Sequence, residues 1–140
     1  YIWNSRNDFS HKYFAASMPG YLSQIVSTNN YSAVTAACLM CRRNVFLEVG
    51  GFETKLAIAL NDVDFCLKLI SHGYRNVYLP HVVLYHYESK SRGYEDSPAK
   101  QSRLAQEVDY IKQKWSQICD RDPCYNPNLT KNHEDYRLKI

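Results

Sequence analysis

The sequence predicts an α/β fold, and three patterns carry that expectation. Val63, Cys66, Leu67 and Ile70 recur at the spacing of one buried helix face. Leu104, Val108, Ile111, Trp115 and Ile118 repeat that spacing along a longer stretch, giving one apolar stripe. Between them lie two short β-like runs, Asn76–Leu79 and Val82–Tyr87, broken at Pro80. The expected architecture is a small mixed sheet with flanking helices and a long C-terminal helix. With 140 residues, 45% of them hydrophobic, the chain suits one domain with a real core.

In chain order, residues 1–30 read as a loop-rich lead-in, with Pro19-Gly20 as a turn signal and a short helix around Tyr21 to Val26. The chain turns apolar and β-like from Val34 to Met40. Asn44 caps a short helix from Val45 to Val49, which Gly50-Gly51 closes. Phe46 and Val49 share its buried face. Asn61 caps the next helix and puts Asp62 and Asp64 in the first turn, where the helix dipole favours negative charge. Gly73 ends that helix. Residues 88–97 form a polar loop. Ser97-Pro98 then opens the longest helix, which runs to about Cys119. Residues 120–140, with Pro123 and Pro127, form an irregular tail.

Composition excludes several classes. The formal charge is +3, and the Lys and Arg residues are scattered, so a nucleic-acid partner is not expected. No run approaches the ~20 apolar residues that a membrane-spanning helix needs. Five cysteines at irregular spacing argue against a disulfide framework and for a reducing compartment. Cys38 and Cys41 have the gap of a zinc knuckle but lack a second such pair, so they read as two small buried thiols. The chain begins at Tyr1 without Met and reads as an excised piece. Twelve tyrosines suit half-buried strands, and equally a sugar-stacking surface.

The candidate chemistry lies between Asp62 and Gly93. Asp62 and Asp64 point about 200° apart on a helix, so they cannot form a carboxylate dyad. Asp64 has Lys68 four residues on and reads as half of a surface ion pair. Asp62 has no such partner. It can act as a general base, or it can be a helix-dipole carboxylate with no further role. His86 ends a β-like run and is followed by Glu88, Ser89, Ser91 and Arg92. Hydroxyls and a guanidinium fork suit phosphate oxygens, and an imidazole suits a divalent cation that bridges them. The same residues can equally be a solvated loop with a structural His at its base.

Several segments carry a family resemblance. They are Y-S-A-V-T-A-A-C-L-M from Tyr31, R-R-N-V-F-L-E-V-G-G-F from Arg42, N-D-V-D-F-C-L-K-L from Asn61, G-Y-R-N-V-Y-L-P from Gly73 and H-Y-E-S-K-S-R-G from His86. In this order they resemble the C-terminal half of a family 2 glycosyltransferase catalytic domain of the GT-A fold. D-P-C-Y-N-P-N-L-T from Asp122 is similar to the tails of bacterial members that build O-antigen or other surface polysaccharides.

The resemblance implies a partial GT-A domain, with residues 31–97 as its acceptor and base half. It implies an inverting, metal-dependent transfer of a sugar from a nucleotide-sugar donor to a hydroxyl of a glycan or lipid-linked acceptor. Asp62 matches the catalytic base, and Asn61 stands where a Glu is commoner. His86 matches a ligand to Mg²⁺ or Mn²⁺. Ser89, Ser91 and Arg92 would face the donor diphosphate. The missing N-terminal half of the domain, with its Asp-x-Asp motif, becomes a partner, so the fragment alone is expected to be inactive. The sheet edge left open could drive self-association. The resemblance places the parent in the bacterial cytoplasm, peripheral to the inner membrane. The competing reading is a non-catalytic domain that binds carbohydrate or protein.

Overall fold

The computed structural model describes residues 18–57, 59–84, 97–133 and 135–139. It is α/β, as the sequence predicts. Strands β1 (Asn29–Tyr31) and β2 (Asn76–Tyr78) pair antiparallel, with Asn30 opposite Val77. The helices are α1 (Arg43–Glu48), α2 (Asn61–Ser71), α3 (Pro98–Lys114) and α4 (Ser116–Asp120). Among the described residues the sheet has these two strands only.

Helix α2 is the centre of the molecule. Val63 and Leu67 join Leu56, Leu60, Val108 and Ile111 in one buried cluster. Phe65 and Leu69 join Val49 in a second, against Phe46 and Val45 of α1. The sequence predicts one buried face, yet α2 is covered on two. Phe52 and α1 cover the side that a surface helix would leave to water. Phe46, Phe52 and Phe65 meet there with ring centroids 5.2–5.5 Å apart.

Helix ends follow local chemistry. α1 and α2 both stop in a Schellman arrangement. Gly50 and Gly51 N–H groups donate to Leu47 and Phe46 carbonyls, and those of Gly73 and Tyr74 donate to Ile70 and Leu69. Gly51 has φ +58°, and an added Cβ would lie 2.8 Å from the Phe46 ring. The Ser97 hydroxyl accepts from the Lys100 N–H at 3.3 Å, with Pro98 at the first helical position. Ser97→Ala should cost about 1 kcal/mol, the usual size for such a cap, read by chemical denaturation.

Several expectations are corrected. The run Val34 to Met40 is not a strand. It holds a 3₁₀ turn at Ala36–Cys38, opened by the Thr35 hydroxyl accepting from the Ala37 N–H at 3.2 Å. Cys38 and Cys41 are exposed, not buried, because that turn lies on the surface. Asn44 and Asn61 lie inside their helices; Arg42 and Leu60 are the caps. The long helix breaks at Trp115, which has φ −118° and ψ 29°, and restarts as α4. Residues 79–82 make a turn around Pro80, where Val82 N–H donates to the Leu79 carbonyl at 3.2 Å. No helix among the described residues is long and apolar enough to cross a membrane.

Candidate active site

Asp62 stands in the first turn of α2, half-buried beside the turn at Ala36. Its Oδ2 accepts from the Ala36 N–H at 3.0 Å and its Oδ1 from the Val63 N–H at 2.9 Å. A carboxylate offers about four lone-pair sites, so these two bonds orient Asp62 and leave capacity for an incoming hydroxyl. The positive end of α2 favours its charge. A half-exposed, oriented carboxylate can take a proton from a hydroxyl brought within hydrogen-bond reach.

The turn before Asp62 is strained and held on several sides. Leu60 is left-handed at φ 61°, ψ 7°, a conformation that costs a non-glycine residue on the order of 1–3 kcal/mol. Its side chain is buried in the larger cluster, which offsets that cost. Asn61 grips the preceding loop: its Oδ1 accepts from the Glu53 N–H at 2.8 Å and its Nδ2 donates to the Leu56 carbonyl. This is a structural use for the position where the resemblance leads one to expect Glu. Glu107 of α3 is buried and accepts from the Ala57 and Ala59 N–H groups at 3.1 and 2.8 Å.

Asp64 is not a surface carboxylate. It is fully buried. The expected Lys68 partner is present at 3.1 Å from Oδ2, with its ammonium also donating to the Gly51 carbonyl. Lys114 at 2.8 Å and the Trp115 indole N–H at 2.8 Å both reach Oδ1. Oδ2 has its ion-pair partner but no hydrogen bond among the described residues. Lys114 also bonds Glu53 at 3.0 Å, and Tyr110 donates to the same Glu53 oxygen at 2.8 Å. Two carboxylates and two ammonium groups thus balance across the 51–56 loop, α2 and the end of α3.

The network perturbs its members. The Lys114 hydrogen bond, then those of Tyr110 and the Lys55 N–H, pull the Glu53 carboxyl down to about 2 from an ordinary 4.5. Burial works against the Lys114 charge, but the bonds to Asp64 and Glu53 outweigh it and raise its pKa. Burial pushes the Cys66 thiol up to about 11, so it is an inert core group. A carboxyl depressed by folding stabilises the native state fully above its unfolded value and loses that contribution as pH falls through its folded one. Part of the acid destabilisation between pH 4.5 and about 2 should therefore belong to Glu53. Acid melts of Glu53→Gln should show a shallower slope in that window.

His86, Ser89, Ser91 and Arg92 lie outside the described residues, so their placement relative to Asp62 is not described. Among the described residues no group of three His, Cys, Asp or Glu could hold a metal ion. A hollow of about 1070 Å³ lies elsewhere, in the C-terminal segment around Tyr125, Thr130 and Lys131. That segment is tied to the body where the Ser32 hydroxyl donates to buried Asp122. Sequence reasoning missed Glu107 and Lys114. The available signal was Glu107 itself, a charged residue at helical spacing from both Leu104 and Ile111.

Comparison with known proteins gives four matches, two of them to one enzyme in two strains. The chain is 46% identical over 129 residues, 91% of its length, to the uncharacterized protein y4gI of Sinorhizobium fredii, covering 14% of that protein. It is 33% identical over 120 residues to the O-antigen biosynthesis protein RfbC of Myxococcus xanthus, covering 80% of this chain and 8% of that one. Over 60 residues it is 33% identical to N-acetylglucosaminyl-diphospho-decaprenol L-rhamnosyltransferase of Mycobacterium tuberculosis, covering 43% of this chain and 20% of the enzyme. The chain thus spans between 8% and 20% of the length of these curated relatives. No family model and no solved structure matches.

Proposed function

We propose that this chain is part of a glycosyltransferase of polysaccharide biosynthesis, with Asp62 as its catalytic base. The observation that carries the reading is the oriented, half-exposed Asp62 carboxylate at the head of a rigidly held helix. Similarity to a rhamnosyltransferase and to an O-antigen biosynthesis protein supports the reaction class. The five segments resembling family 2 members, and through them the GT-A fold, support the finer assignment. In the proposed reaction an acceptor hydroxyl gives its proton to Asp62. Its oxygen bonds to the anomeric carbon of a nucleotide-sugar from the face opposite the diphosphate. The bond to the diphosphate breaks, and that group leaves with the electron pair. The configuration inverts in a single displacement.

The proposal includes a Mg²⁺ or Mn²⁺ ion with His86 as one ligand and Ser89, Ser91 and Arg92 toward the donor diphosphate. A cation there would stabilise the charge of the leaving group. The described residues do not by themselves fit such an ion. Its remaining ligands and the nucleotide pocket are assigned to segments outside this chain, in line with the small share of each relative that the chain spans. The acceptor is proposed to be a glycan or lipid-linked saccharide at the cytoplasmic membrane face.

The test is a transfer assay on the full-length protein. A panel of radiolabelled nucleotide-sugars is offered with lipid-linked and free saccharide acceptors and Mn²⁺. Expected is acceptor-dependent release of nucleoside diphosphate with inverted product configuration. Binding of saccharides with no turnover on any donor would favour a carbohydrate-binding domain instead.

A further inference from the structure

Three clamps converge on the turn that carries Asp62, and two of them come from α3. Glu107 holds the N–H groups of Ala57 and Ala59. Lys114, at the last turn of α3, bridges Asp64 at 2.8 Å and Glu53 at 3.0 Å. Asn61 supplies the third clamp by holding Glu53 and Leu56. Between them sits left-handed Leu60, next but one to Asp62. Strain of this kind persists only when the surroundings over-determine it. A helix with apolar packing alone would not need a buried carboxylate on its core face, because polar groups there cost free energy unless each finds a partner.

We propose that α3, through Glu107 and Lys114, is a positioning element that sets the direction of the Asp62 carboxylate. This rests on the reading of Asp62 as the base. Glu107 and Lys114 touch no reacting atom. Glu107 fixes the backbone that enters α2, and Lys114 fixes the first turn from the opposite side through Asp64. Asp62, between the two anchors, then presents Oδ2 to the Ala36 N–H and its remaining lone pairs outward. Freed from either anchor, the Leu60 turn relaxes toward a right-handed conformation and the carboxylate swings off that line. The same arrangement ties the backbone N–H groups of Glu53, Ala57 and Ala59 to side chains.

The Ala36 amide is a direct reporter, because it donates to Asp62 at 3.0 Å. Amide hydrogen exchange read by NMR on the full chain follows it, with Asp62→Asn defining the signature of a disturbed carboxylate. Glu107→Gln places an NH₂ against a backbone donor. Lys114→Met keeps length without charge, and Lys114→Arg keeps the charge. Expected for Glu107→Gln and Lys114→Met is Ala36 exchange faster by tenfold or more than any loss of global protection explains, with Lys114→Arg near the unaltered chain. In the transfer assay the same two variants should lower kcat with donor KM unchanged. A drop in melting temperature with Ala36 following only the global change would overturn the proposal and leave α3 a packing element. Should a variant fail to fold, the unaltered chain decides. Ala36, Ala57 and Ala59 must exchange through one common opening across denaturant, and independent openings overturn the coupling. Retained transfer in Asp62→Asn, with the exchange results as expected, would remove the base assignment and not the clamp.

Discussion

Asp62→Asn in the full-length protein should lower kcat by roughly 10²–10⁴, the usual contribution of a general base. That is about 2.7–5.4 kcal/mol of barrier at ~1.36 kcal/mol per decade. An acceptor hydroxyl is a poor nucleophile until its proton is taken, and an amide cannot take it at neutral pH. Asn keeps the size of Asp and one carbonyl oxygen, so one of the bonds from Ala36 and Val63 survives and the fold should be little changed. Donor KM should hold, because Asp62 is assigned to the acceptor side. Asp64→Asn, measured per folded molecule, should cost far less turnover. A transfer assay with active fraction determined for each variant separates the two. Turnover within tenfold of normal in Asp62→Asn would remove it from the mechanism.

The fold was legible where local chemistry decides it. The i, i+3, i+4, i+7 pattern from Val63 to Ile70 gives α2, and Ser97-Pro98 gives the start of α3. Gly50-Gly51 and Gly73 give two helix ends, since both ends need left-handed residues. The strands were less legible. β1 is Asn29–Tyr31, three residues with no alternation to read. Val34–Met40 has strand-like composition, but strand propensity expresses itself only against a partner ladder, and among the described residues that run has none. The break at Trp115 was hidden because α4 resumes nearly in phase. Leu104 through Ile118 keep their spacing across the kink and still pack on one cluster.

At the site, the position of Asp62 was legible because a helix start is written locally. Its support was not. Glu107 reaches back 48 and 50 residues to Ala59 and Ala57, and Trp115 reaches 51 residues to Asp64. No pattern within one element reveals such contacts. The Asp64–Lys68 pair shows the limit from the other side. Its i, i+4 spacing was readable, but its burial depends on α3 and the 51–56 loop closing over it. A surface pair of this spacing contributes a few tenths of a kcal/mol, whereas the buried one must be complete to be tolerated.

That difference sets the largest expected stability effect. Asp64→Ala should destabilise the protein by about 3 kcal/mol, the low end of the ~3–5 kcal/mol found when one member of a buried ion pair is removed. It leaves the Trp115 indole N–H with no acceptor and strips one carboxylate from Lys68 and Lys114, which keep only the Gly51 carbonyl and Glu53. The low end applies because Lys68 and Lys114 keep 14% and 27% side-chain exposure and can turn toward water. For a chain of this size the melting temperature should fall by on the order of 10 °C. Lys114→Met alone should destabilise, and it should cost less in the Asp64→Ala background, where only the Glu53 bond of Lys114 remains to be lost. That non-additivity is the signature of direct coupling in a double-mutant cycle. Additive effects of the two substitutions would show that Lys114 and Asp64 are neighbours without being partners, and the balanced network across α2 and α3 would have to be given up.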